Sequence, residues 1–356
     1  MELVTRPGRV NAHTHLYSGL APLGMPAADP DPTCFLEILE RVWWRLDRAM
    51  DAATLRASAR LYVAEALLNG TTTIIDHHES PAAIDGALDV LAEAAQTLGA
   101  RAVLTYGATD RNGGLEEGAA GLAECRRFIT ANAYSRVRGV VGLHASFTVS
   151  DATIRDAAEL CRELGVPMHV HVAEDHADVE DARARGFEGP LERLIALDAL
   201  PPGSIIAHGI YLSTEQVRRA SDMGCWFVHN PRSNEGNQVG YAASLRASDR
   251  VALGTDGWPA DMPVELDALR RLGAAHGDHE GLCLLRAQRG VRMASELLGD
   301  AVLSDTIELE GDAVKRVTVD GDVVVAGGVL VHGDIDEIRA EASEAAEHLW
   351  ARMAEL

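Results

Sequence analysis

The chain predicts an α/β fold: a (β/α)8 TIM barrel over residues 8–300, with a small, truncated β appendage and a C-terminal helix over 301–356. Three observations carry this prediction. Eight short apolar runs alternate with stretches of helical periodicity, and strand–helix alternation of that kind implies a parallel sheet that eight units can close. Each run ends, on its C-terminal side, in polar or ionisable residues, and the active sites of this fold sit on that rim. After Leu298 the pattern changes to short β runs divided by Gly and Asp.

The elements follow in order. GRVNAHTHL is the first strand, followed by helical stretches over Thr33 to Met50 and Ala53 to Asn69. TTTIIDHH is the second, and a helix from Pro81 to Leu98 leads to RAVLTYG. A helix over Glu117 to Asn132 leads to VRGVVGLHASF. Ser150 caps a helix that runs to Leu164 and closes at Gly165. PMHVHVAED, SIIAHG, CWFVHN and RVALGTDG complete the set, with helices over Pro190 to Leu197 and Ser213 to Met223 and a short one near Leu245. The rim collects His13, His15, Asp76, His77, His78, Tyr106, His144, His171, Glu174, His208, His229, Asn230 and Asp256. DTIELEG, AVKRVTVDG and VVVAGGVLV read as a β meander. The tail from Asp334 to Leu356 reads as an amphipathic helix with Ile338, Ala342, Ala345, Leu349 and Met353 on one side.

Composition narrows the function. The net charge is -22, from 54 acidic and 32 basic residues. Such a surface repels phosphate backbones and anionic lipid, so neither nucleic acid nor membrane is expected as a partner. The start shows no signal-peptide pattern, and no apolar run is long enough to span a bilayer. Five scattered cysteines form no CxxC pair, which fits a reducing cytoplasm. Lys315 is the only lysine; a Schiff-base lysine, or a carbamylated one bridging two metals, is excluded from the barrel.

Alternate strand residues share a face, so His13 and His15 project together. His169 and His171 share a face in the same way, with His171 nearer the rim and His169 a layer deeper. Asp256 ends the eighth strand, which neighbours the first in a closed barrel. Three imidazoles and a carboxylate suit one divalent metal ion, Zn2+ or Fe2+, with a position left for water. Each element alone is weak; their convergence from three strand ends is the signal.

With these residues in view, NAHTHL, HVHVAED, AHGIYLS, VHNPRSN and ALGTDG, in that order, resemble the amidohydrolase superfamily. Within it they resemble the aminohydrolase and chlorohydrolase branch of adenosine, S-adenosylhomocysteine and guanine deaminases and triazine hydrolases. NAHTHLYSGLAPLGMP, VWWRLD, GTTTIIDHHESP, LHASFTVSD and GTDGWPADM are most similar to the SsnA-type aminohydrolases. The resemblance implies His13, His15, His171 and Asp256 as metal ligands and Glu174 as proton shuttle. It implies His208 as the residue orienting the attacking water with Asp256, His144 as a substrate contact and Asn234 as part of a pocket-shaping loop. His77 and Arg111 are further candidate substrate contacts, Arg111 for an anionic group; Asp76, His78 and Arg232 stay unassigned. Relatives are commonly dimers, which implies a homo-oligomer.

Two departures stand out. Family members begin with a β-sandwich segment, yet only about a dozen residues precede His13. The loop VHNPRSNEGNQ carries Glu235 where many relatives place Met. The expected activity is hydrolytic deamination of an amino-substituted N-heterocycle of purine, pterin or triazine type, cleaving a C–N bond other than a peptide bond. Glu174 favours it, because amine departure needs an acid. Hydrolysis of a cyclic amide or aryl chloride is the alternative on the same scaffold. A non-catalytic assembly subunit is the alternative of another class, and lost ligands, which would mark it, are not seen.

Overall fold

Residues 2–356 are described by a computed structural model, and their strands build an α/β TIM-barrel fold. β1 (Leu3–Pro7) stands apart from it. The barrel uses β2 (Arg9–Thr14), β3 (Thr71–Asp76), β4 (Arg101–Leu104), β5 (Gly107–Ala108), β6 (Val137–Gly139), β7 (Val141–Ala145), β8 (Met168–Val172), β9 (Ile205–His208), β10 (Trp226–His229) and β11 (Val251–Leu253). All pairs among them are parallel, in the orders β2-β3-β4-β6 and β5-β7-β8-β9-β10-β11. Two predicted strands are therefore each broken in the middle. RAVLTYG divides into β4 and β5, and VRGVVGLHASF divides into β6 and β7. The break lets one half pair with each arc of the barrel.

The eighth strand meets the first at a seam the sequence writes as GTDG. Thr14 and Asp256 form a parallel bridge. The amides of Thr255 and Asp256 both donate to the His13 carbonyl at 3.0 Å. Any side chain on Gly254 would put a Cβ 2.7 Å from that carbonyl oxygen, so glycine is dictated by close approach. The buried Asn11 amide completes the seam, donating to Thr255 Oγ1 at 2.7 Å and accepting from Thr255 N at 3.1 Å.

Most predicted helices form, and their ends obey capping chemistry. Asp51 and Thr54 make a capping box at the start of Ala52–Leu68, and Ser213 and Gln216 make another at Thr214–Asp222. The helix after β3 starts later than expected, at Ala87 rather than Pro81. Gly86 precedes it with φ 79°, a left-handed turn that no helix can continue through. Two short helices, His176–Ala184 and Pro231–Gly236, were not expected from periodicity.

β1 pairs antiparallel with β12 (Thr306–Glu310). It joins β13 (Ala313–Val319), β14 (Asp322–Ala326) and β15 (Val329–Leu330) in a five-stranded sheet. The few residues before the barrel thus still supply one strand of the small sheet. Arg101 clamps this sheet to the barrel, with bonds of 2.7 and 3.0 Å to the two oxygens of buried Asp305. The last helix, Ile335–Ala354, buries Ile338, Ala342, Ala346, Leu349 and Met353. It lies along Ala52–Leu68 of the barrel, where Arg339 pairs with Glu65 at 2.7 Å. No described helix is long and apolar enough to cross a membrane.

Candidate metal centre and active site

Four side chains converge at the rim of β2, β8 and the β11 loop. His13, His15, His171 and Asp256 place one donor atom each within 4.8 Å of the others, all buried. Asp256 Oδ1 lies 3.2 Å from His13 Nε2 and 2.8 Å from His15 Nε2. The far nitrogen of each ring is already used. His15 Nδ1 donates to the His77 carbonyl and His171 Nδ1 to the His144 carbonyl. His13 Nδ1 faces His169 Nε2 at 2.9 Å. A ring that spends its Nδ1 proton on a carbonyl keeps an Nε2 lone pair for a metal. Burial pushes His13 down to about 3 despite Asp256, and pushes His171 well below the usual histidine range. Burial alone would raise Asp256, but its contacts with the His13 and His15 imidazoles hold it well below the usual carboxylate range. Burial would lower His15 too, but its hydrogen bond to Asp256 and the charges of Asp256 and Glu79 raise it to about 10, so that ring would release a proton as an ion took its place beside Asp256. Three imidazoles and a carboxylate are the donor set of a divalent metal, and they fit one here.

A second ring of groups stands over the first. Glu174 Oε2 lies 3.5 Å from His208 Nε2, and His208 Nε2 lies 3.9 Å from Asp256 Oδ2. His208 Nε2 is buried with no hydrogen-bond partner, an orphan aimed between two carboxylates. Burial pushes Glu174 up to about 7, with His208 opposing and Asp256 reinforcing the rise. One short helix, Pro231–Gly236, steadies this ring with the residue that follows it. Ser233 donates to Asp256 Oδ2, Asn234 Oδ1 accepts from His208 Nδ1 at 2.9 Å, and Asn237 Nδ2 donates to Glu174 Oε1 at 3.3 Å.

Backbone strain gathers at the same rim. Ala173, His208 and Asp256 have φ of 52, 70 and 55°. Non-glycine residues in the left-handed region are uncommon and concentrate at functional sites. Here the three turns aim Glu174, His208 and Asp256 inward.

The groups open into a cavity of about 580 Å³, counting the space open to solvent at its mouth. Tyr17, Phe35, Leu39, Trp43, Trp44 and Phe147 supply its apolar wall, while Glu79, His144, Glu174, Asp178 and Asn237 supply polar atoms. Both tryptophans of VWWRLD reach it. His144 faces it with Nδ1 fixed on Thr148 Oγ1 at 2.8 Å.

The other candidates lie elsewhere. His77 is fully buried behind the cavity, with Nε2 donating to the Leu143 carbonyl at 3.0 Å and Nδ1 against Glu79 Oε1 at 2.8 Å. Arg111 is paired with buried Asp47 and lies over the Trp44 ring at 5.0 Å, outside the cavity lining. Asn234 acts on His208 and does not line the cavity. Asp76 accepts from Leu16 N at 2.6 Å, His78 bonds Ser80 at 2.8 Å, and Arg232 is held by Glu265.

Sequence reading missed Glu79, Asn237 and Ser233. Glu79 is buried beside His77, and burial, which would raise it, is outweighed by the charges of His77 and His15, leaving it strongly acidic. A carboxylate directly after a rim pair of histidines was the available signal. Nothing in one sequence singles out Asn237 or Ser233, since a six-residue helix has too little periodicity to read.

A family model described as the amidohydrolase family matches residues 4–296. The 5'-deoxyadenosine deaminase of Methanopyrus kandleri is 29% identical over 97% of this chain and 86% of its own length. The 8-oxoguanine deaminase of Pseudomonas aeruginosa is 31% identical over 71% of this chain and 60% of its own length. Among solved structures, an adenosine deaminase from Xanthomonas campestris with bound zinc superposes with TM-score 0.84 at 22% identity, covering 98% of this chain and 86% of that one.

Proposed function

The chain belongs to the amidohydrolase family, and on that footing we propose that it is a metal-dependent hydrolytic deaminase of an amino-substituted N-heterocycle. One observation carries the reading: a half-buried carboxylate raised to about 7, Glu174, stands beside His208 and over a buried His3Asp donor set. The named activities of the relatives, deamination of 5'-deoxyadenosine and of 8-oxoguanine, support it.

His13, His15, His171 and Asp256 would hold the ion, and zinc is the metal proposed. A divalent metal bound there would lower the pKa of a coordinated water toward about 7. Asp256, through Oδ2, takes a proton from the attacking water, and Ser233 keeps that oxygen in place. His208, its Nδ1 proton fixed on Asn234, meets the reacting centre through the Nε2 lone pair. Glu174 gives its proton to a ring nitrogen, then takes the proton of the added hydroxyl and passes it to the amine, and the proton left on Asp256 restores Glu174. Water adds at the ring carbon, the C–N bond breaks, and ammonia leaves. The aromatic wall of Tyr17, Trp43, Trp44 and Phe147 receives the planar ring.

The direct test joins metal analysis of the freshly purified protein to an ammonia-release screen over aminopurines, aminopterins and aminotriazines. One metal per chain and ammonia from at least one ring class are expected. Metal-replete protein that releases none across the screen would contradict the proposal. The cavity adds an expectation about charge. No Lys or Arg lines it, while Glu79 and Asp178 do. A nucleoside 5'-monophosphate should react at least about 10²-fold less efficiently than its nucleoside, since a buried unpaired charge costs about 3–5 kcal/mol. Equal kcat/KM values for the two would show that an anion finds a partner there.

A further inference from the structure

We propose that His169 is a positioning residue for the metal: a buried histidine, one layer below the site, whose Nε2 fixes the tautomer and ring orientation of His13. The inference rests on the metal reading above and extends it to a residue that touches neither metal nor substrate.

Three imidazoles face the donor point, and two are steadied by main chain. His15 and His171 give their Nδ1 protons to the carbonyls of His77 and His144. Those acceptors belong to the barrel itself and do not depend on a side chain. His13 has no such carbonyl. Its Nδ1 meets His169 Nε2 at 2.9 Å, and both rings are 0% exposed.

The chemistry assigns the proton. With Nε2 of His13 committed to a metal, Nδ1 of a neutral ring carries the hydrogen and donates. His169 Nε2 must then be the acceptor, which forces the His169 proton onto Nδ1. That Nδ1 is buried and has no hydrogen-bond partner. An unsatisfied buried N–H is costly and calls for an explanation. A leucine would fill the volume without that cost. Histidine at this position is explained by what its other nitrogen accepts. His169 is adjacent by alternation to the ligand His171 on β8, so one strand supplies a ligand and, two residues earlier, the group that orients a ligand on another strand.

The test compares three chains as full-length proteins, with zinc affinity measured by competition against a chromophoric chelator. His169→Leu should weaken zinc binding about 10–100-fold, the usual effect of removing such an outer partner. His169→Gln, whose Oε1 reaches the place of Nε2, should recover to within about threefold of the parent. Cobalt(II) substituted for zinc gives a second readout: the visible absorption bands should shift in the Leu chain and return in the Gln chain. A Leu chain that binds zinc as tightly as the parent would overturn the proposal. So would a Gln chain as weak as the Leu chain, because loss in both is the mark of packing alone. If the Leu chain does not fold, His169→Asn replaces it: its amide is one methylene too short to reach His13, so the Asn–Gln pair makes the same comparison. The readout is metal affinity, so failure here is separate from failure of the ammonia screen.

Discussion

A Glu174→Gln chain is expected to keep its metal and to release ammonia about 10³-fold more slowly than the parent. Glu174 is not one of the four converging donors, so stoichiometric zinc should survive. Glutamine preserves volume and can still accept from Asn237 Nδ2, so the ring of groups above the metal should stay in register. What it removes is the transferable proton. General acid–base help is worth roughly 10²–10⁴-fold, and here one residue serves both the ring nitrogen and the departing amine. Burial that raises Glu174 to about 7 keeps that proton available near neutral pH, where an exposed glutamate would be ionised. The measurement is kcat/KM for ammonia release beside a metal analysis of the same sample. A rate within tenfold of the parent would remove Glu174 from the proposed chemistry; lost zinc would make it a ligand instead.

The split between what the sequence reveals and what it hides follows the physics of each signal. The barrel was legible because buried parallel strands read as apolar runs and helices carry a 3.6-residue period. The donor set was legible because strand alternation places His13 with His15 and puts His171 above His169. The hydrogen bonds that aim those donors were not. His15 and His171 are held by carbonyl oxygens, which every residue possesses and no side chain advertises. Asn11, Tyr62 and Thr255 close the seam through contacts across as many as 244 positions. The expected role of Arg111 shows the opposite difficulty. Its type and rim position suggested an anion partner, but Asp47, 64 residues earlier, holds it.

The helix Pro231–Gly236 and the residue after it matter more than their length suggests. Seven residues reach the three groups proposed to move protons: Ser233 on Asp256, Asn234 on His208 and Asn237 on Glu174. Asn237 also donates to Ser233 Oγ at 3.3 Å, which couples the Glu174 contact to the Asp256 contact. Glu235, where the resemblance implies a departure from relatives, points away and pairs with Arg271 at 2.6 Å. That implied departure falls on the outer face, away from Ser233, Asn234 and Asn237.

Asp256→Asn should lower kcat/KM for ammonia release by at least about 10³-fold and weaken zinc binding together. Asp256 is the only carboxylate among the four donors. Its Oδ1 faces His13 and His15, while Oδ2 is held by Ser233 and lies 3.9 Å from His208. In the proposed chemistry Oδ1 would therefore serve the ion and Oδ2 would take the proton of the attacking water. Asparagine removes the negative charge that attracts a divalent cation and the base that accepts the proton, a function worth roughly 10²–10⁴-fold by itself. The choice of asparagine is dictated by backbone. Asp256 sits at φ 55°, where Asn and Asp, whose short polar side chains bond locally, are tolerated better than a residue such as Ala, which costs about 1–2 kcal/mol. The Asn chain should thus fold, keep the Thr14 bridge and expose the chemical loss alone. Zinc titration and ammonia release on the same preparation separate the two functions. Tight zinc with a collapsed rate would leave Asp256 a base and not a ligand; weak zinc with a parental rate at saturating metal would leave it a ligand and pass the proton to His208.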